Sequence, residues 1–220
     1  MSAESTWATP DGHLARGAHL TPDYSAGRHM GGTLAIAGVF LVIGMALALR
    51  ARPFDWVLLP TFWVVANFIE WAFHRYPLHR PLTPRLLYKN HAQLHHLAFT
   101  DQSMPIAETR ELGLVMMPWY TMIGLFGIAS PVFIAAGILR GPGLAGVFVI
   151  AAVIYFLAYE TLHAFYHLPL ATLARMGLRP GGLFFRLRAH HARHHVLRRM
   201  AHTNFNVTLP LMDWLLRTRE

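Results

Sequence analysis

"GGTLAIAGVFLVIGMALAL", Gly31 to Leu49, is nineteen residues long and carries no charge. A helix needs about 20 apolar residues to cross the hydrocarbon core of a bilayer, so this run reads as a membrane span. Three more runs follow. Trp56–Phe73 has a single charge, Glu70; Leu112–Leu139 has none; Gly141–Tyr159 has none and continues towards His163. These predict spans over 31–49, 56–73, 112–139 and 141–162, with a kink expected at Ser130–Pro131. Charged residues make up only 14% of the chain and mean hydropathy is +0.34, against about 25% charged in soluble domains. A soluble bundle has no use for four such runs. The fold class expected is all-α: an integral membrane scaffold of four helices in two hairpins.

The connections divide the chain by face. Arg50–Asp55 and Arg140–Pro142 are short turns, whereas 74–111 and everything after His163 are long and polar. Residues 1–30 read as a polar, flexible tail with no cleaved signal peptide expected, and 31–220 as one domain. The tail, the middle segment and the C-terminus then share one side, which holds sixteen of the nineteen basic residues; Arg50, Arg52 and Arg140 lie opposite. The positive-inside rule places the basic side in the cytoplasm. The net charge of +8 thus reads as topology rather than nucleic-acid binding. The chain has no cysteine, which excludes disulfides, a cysteine-ligated iron–sulfur cluster and a c-type haem site. Any metal must be held by nitrogen and oxygen.

Histidine supplies the nitrogen. Four clusters stand out: "HRYPLH" (His74, His79), "HAQLHH" (His91, His95, His96), "HAFYH" (His163, His167) and "HHARHH" (His190, His191, His194, His195). All fall on the basic side or at its membrane boundary. Residues three or four apart share a helix face, which joins His91 to His95, His163 to His167, and His191 to His194 and His195. His74 and His79 are five apart around Pro77, so the helix is expected to end and turn there. Ten imidazoles, with His190 as a possible eleventh, are too many for one ion. Two ions with about five nitrogens each fit the count, and imidazole suits iron, zinc and copper.

Glu70 and Glu160 are carboxylates at membrane depth, where an acid needs a partner. Glu70 precedes His74 by four and Glu160 precedes His163 by three, so each is placed to accept the outer N–H of its histidine. Asp213 is expected to orient a histidine or to cap the last helix. His202 is a candidate to support the site or face substrate.

At this point the chain resembles the fatty acid hydroxylase / sterol desaturase superfamily of membrane di-iron enzymes. The four histidine boxes occur in that family's order, and "YETLHAFYHLP" and "NFNVTLPLMDWLLRT" are similar to stretches beside its third and last boxes. The resemblance covers roughly 34–218. It implies four spans beneath a cytoplasmic di-metal cap, with ligands at His74, His79, His91, His95, His96, His163, His167, His191, His194 and His195. The longer spacing of the second box leaves open which of its histidines serve which ion. "WLLRT" lacks the Gly that relatives often have before the Thr, a difference expected to affect a turn. The resemblance further implies two iron ions, replaceable by zinc in purified protein, O2 as co-substrate, and hydroxylation of an unactivated C–H bond of a lipid, with a fatty acyl chain expected. No cytochrome b5-like domain is legible before the first span, so electrons are expected from a separate ferredoxin- or cytochrome-like donor.

Alternatives remain open at this stage. The same site could run as a desaturase or act on a sterol or carotenoid. A haem protein would need histidine pairs inside facing spans, and a metal transporter would need polar residues across the midplane; neither pattern is present. Phe184, Phe185 and Leu187 beside Arg186 and Arg188 read either as a lipid entry segment or as a membrane anchor.

Overall fold

The computed structural model describes residues 16–82 and 85–220, and all regular structure among them is helical. Four helices are long and apolar enough to cross a membrane: Ala26–Ala48, Pro53–Leu78, Thr121–Arg140 and Pro142–Tyr166. Their exposed faces are apolar, with Val42 62%, Ile128 74% and Ile138 78% exposed. Such faces belong in lipid rather than in water. These features mark a membrane protein.

The chain forms two compact units. One comprises 25–66 and 117–161. Its core joins Ala37, Met122, Phe126, Val149 and Val153, with Phe40 tilted against Phe126 at 4.3 Å between ring centroids. The first and fourth spans touch backbone to backbone at Gly44 and Gly146, where a Cβ on Gly146 would stand 2.6 Å from the Gly44 carbonyl oxygen. Small residues permit this approach in the absence of a hydrophobic drive between helices in lipid. Gly141, at φ +98°, turns the third span into the fourth, and the Asp55 carboxylate accepts the Arg52 N–H at 2.8 Å between the first and second. Pro131 lies inside the third helix, which continues through it. Pro131 has no N–H to give the Gly127 carbonyl, and the Ser130 hydroxyl donates to that carbonyl instead, at 2.7 Å.

The other unit comprises 16–24, 67–116 and 162–220 of the described residues. Ala98, Phe99, Ile106 and Val115 form one of its cores and Trp71, Phe205 and Met212 another.

Three boundaries differ from the sequence reading. The third span begins at Thr121, not Leu112. Pro118 interrupts the run, and Leu112 and Leu114 wind into a 3₁₀ turn that packs on the Phe99 core. The second helix does not end at Phe73 but continues through His74–Leu78 as a π-helix. The expected tail over 1–30 lies outside the described residues up to position 15. From Arg16 onward it is ordered: Arg16 donates to the carbonyls of Ala98, Pro105 and Ser103, pairs with Glu111 at 2.9 Å and covers the Phe99 ring. Ser25 then caps the first span.

Candidate metal centre

The ten box histidines all lie within the second unit and are at most 8% exposed. They divide into two sets of five. His74, His79, His91, His96 and His194 form the first; His95, His163, His167, His191 and His195 form the second. Within each set one nitrogen per ring lies within 4.8 Å of every other.

Helix geometry explains the division. Lys89–His95 is a second π-helix, and the His96 N–H bonds back to the His91 carbonyl, five residues earlier. One π turn therefore superposes His91 and His96, while His95 faces the other set. The spacing argument had paired His91 with His95 because it assumed a regular α-helix. The same widening stacks His74 on His79, five apart, at 5.1 Å between ring centroids. π turns of this kind concentrate at functional sites. His163 and His167 share the second set, as i,i+4 spacing predicted. His191 and His195 join them, while His194 turns to the first.

Hydrogen bonds fix the rings. Nδ1–H of His95 donates to the Leu114 carbonyl at 2.9 Å, that of His167 to Met104 at 2.9 Å, and that of His194 to Thr203 at 2.8 Å. His74 donates likewise to Phe205 and His195 to Phe99. A carbonyl can only accept, so these Nδ1 atoms carry the proton and their Nε2 atoms present bare lone pairs. The Nε2 atoms meet at the centres: His74 and His91 at 2.8 Å, His91 and His96 at 3.2 Å, His79 and His194 at 3.1 Å, His191 and His195 at 3.0 Å, His167 and His191 at 3.4 Å. In the second set three bare lone pairs share one small space, and His95 Nε2 is buried without a hydrogen-bond partner. Converging lone pairs repel unless a cation lies among them. Nitrogens about 2.1 Å from a shared ion would stand about 3 Å apart at right angles and about 4.2 Å apart across it. The observed separations fit that requirement, so the donor set suits two divalent first-row ions.

The electrostatics agree. Burial, reinforced by nearby His194 and His95, pushes His79 down to about 2. Burial lowers His95 to about 4 against the opposing pull of the Leu114 carbonyl, and His194 to about 4 against that of Thr203 and Asp213. His91, His96, His167, His191 and His195 are lowered for the same first reason. Neutral imidazole is the metal-binding form.

The remaining candidates fall elsewhere. His190 is in neither set; it donates to Asp213 at 3.1 Å. Asp213 also accepts from Phe205 N–H at 2.9 Å, Asn206 N–H at 2.7 Å and the Thr218 hydroxyl at 2.7 Å. Burial alone would raise its pKa, but these donors hold it below the usual carboxylate range. Glu70 does not hold His74, whose Nδ1 goes to the Phe205 carbonyl. It accepts Val207 N–H at 2.5 Å, Thr208 N–H at 3.1 Å and the Thr208 hydroxyl at 2.6 Å. Glu160 is buried in the first unit, near the Met117 backbone. His202 is exposed.

Two contributors were not read from the sequence. Asn67 donates to the Leu209 carbonyl at 2.8 Å and accepts Met212 N–H at 3.1 Å. It shares a face with Glu70 three residues on, and a second polar residue at membrane depth was the available signal. Arg16 left no signal, because its partners are mostly carbonyls 82 to 89 residues away.

A protein-family model described as "Fatty acid hydroxylase" matches residues 59–218. No curated protein and no solved structure matches the chain.

Proposed function

The chain belongs to the fatty acid hydroxylase family, and from that membership and its two nitrogen cages we propose that it is a di-iron oxygenase that hydroxylates an unactivated C–H bond of a membrane lipid, with a fatty acyl chain as substrate. The observation that carries this reading is the partition of ten buried imidazoles into two sets of five. His74, His79, His91, His96 and His194 hold one ion; His95, His163, His167, His191 and His195 hold the other. Iron bound there supplies the O2-dependent oxidation, in which substrate, O2, two electrons and two protons become alcohol and water.

The chain's own part is to prepare the cages. Five backbone carbonyls fix the tautomer and tilt of His74, His95, His167, His194 and His195. Burial keeps the rings neutral and excludes water. Electrons come from a separate donor of ferredoxin or cytochrome type, and the basic side faces the cytoplasm where such a donor is found. Phe184 packs on Tyr166 at 5.5 Å between ring centroids, and Tyr166 lies 5.5 Å from His191.

The test is a lipid mass profile of cells that express the chain with a suitable donor, compared with His194→Ala/His195→Ala at matched membrane levels. A wild-type-only lipid heavier by one oxygen is expected. A product lighter by two hydrogens would replace hydroxylation with desaturation, and identical profiles would overturn the acyl substrate.

A further inference from the structure

We infer that Asp213 is a positioning residue for the first metal only, acting through the backbone of one loop, 203–206. This rests on the di-metal reading above. The peptide between Phe205 and Asn206 is bonded at both ends. Its N–H donates to the Asp213 carboxylate at 2.7 Å, and its carbonyl accepts Nδ1–H of His74. The order is carboxylate, peptide, imidazole, metal. A charged acceptor on the N–H polarises the peptide and strengthens its carbonyl as an acceptor. That in turn raises the basicity of the far ring nitrogen, as a carboxylate bonded directly to a metal-bound histidine does.

A second peptide of the same loop, between Thr203 and Asn204, is also bonded at both ends, its N–H to a carbonyl that Asp213 reaches through Thr218. The Thr203 carbonyl accepts Nδ1–H of His194 at 2.8 Å, and the N–H of the same peptide, on Asn204, donates to the Thr218 carbonyl at 2.8 Å. The Thr218 hydroxyl donates back to Asp213. Asn204 lies between the two carbonyls at φ +58°, a conformation that Asn tolerates better than most residues. Both histidines served by this loop belong to the first set. The carbonyls that hold the second set, those of Phe99, Met104 and Leu114, come from another segment. Asp213 is fully buried and carries His190 on the oxygen that also takes Asn206 N–H, so its charge is aimed and compensated. The geometry predicts that weakening this carboxylate empties one site and spares the other.

The experiment titrates full-length, chelator-stripped protein in detergent with Co2+, following bound metal and the visible absorption of each site. His79→Ala identifies the bands of the first site and His163→Ala those of the second. Wild type should take up two ions. Asp213→Asn should weaken the first site by roughly 10- to 100-fold, the usual range for outer partners of a metal-bound histidine, and leave the second within twofold. Asp213→Glu keeps the charge beside His190 and so preserves the fold if the amide does not; it should displace the first-site bands and leave the second-site bands alone. Equal weakening of both sites, or of neither, in the folded variants would overturn the inference. A wild type that binds fewer than two ions would instead overturn the di-metal reading on which it rests.

Discussion

Acid should unfold the metal-free second unit well before it affects the loaded protein. The perturbation is a fall from pH 8 to pH 5 after chelation. In the folded chain His79 is pushed down to about 2 and His95 and His194 to about 4, first of all by burial. In the unfolded chain each returns to about 6.5. Above pH 6.5 neither state holds the proton and nothing is lost. Below it the unfolded state binds protons that the folded state refuses, so stability falls with pH. Each histidine contributes about 1.4 kcal/mol per pH unit. From pH 6.5 to pH 5 these three together remove about 6 kcal/mol, against a typical total stability of about 5–15 kcal/mol. The other buried rings add to the loss. The assay is thermal unfolding of stripped and metal-loaded protein in detergent across this range. The stripped midpoint should hold steady down to about pH 6.5 and then drop steeply. The loaded midpoint should begin to drop at lower pH, because the metal competes with protons for the same lone pairs. A stripped midpoint that stays level from pH 8 to pH 5 would refute the claim that burial holds these rings neutral.

Glu70→Ala leaves two peptide N–H groups and the Thr208 hydroxyl without their acceptor, at about 1–3 kcal/mol each when buried. Its unfolding midpoint should fall clearly further than that of Glu70→Gln, which retains an acceptor oxygen. Arg16→Met takes the partly buried guanidinium from Glu111, which keeps the Ala107 N–H, a loss of about 1–3 kcal/mol. It should also loosen the 98–106 segment, so metal analysis should show ions lost from the second cage first. Gly146→Leu drives a side chain into the Gly44 and Ala48 backbone; overpacking of about 1–3 kcal/mol or more should lower the midpoint, whereas Gly124→Leu, in open space, should not. His202→Ala removes an exposed ring outside both sets and should leave metal content at the wild-type value.

The four apolar runs and the four histidine boxes were legible because hydropathy and side-chain type are local properties. The assignment of His91 and His96 to one cage and His95 to the other was not. It depends on π turns at His74–Leu78 and Lys89–His95, and spacing rules presume an α-helix. Glu70 was rightly read as a buried acid in need of a partner, but its partners, two peptide groups and the Thr208 hydroxyl, are 137 and 138 residues away. Backbone carbonyls carry no letter in the sequence, so the groups that fix five of the ten rings could not be named. The spare histidine of the last box shows the same limit. His190 and His191 are adjacent and alike in type; spacing to His194 and His195 set His191 apart, but that His190 instead meets Asp213, reached through a return of the chain, was not legible.

The most direct measurement is the metal content of the purified chain, combined with X-ray absorption at the edge of the bound metal. Two ions per chain, each surrounded by about five imidazole nitrogens and no sulfur, is the predicted result. One ion per chain, or none after reconstitution with ferrous iron, would contradict the account at its centre.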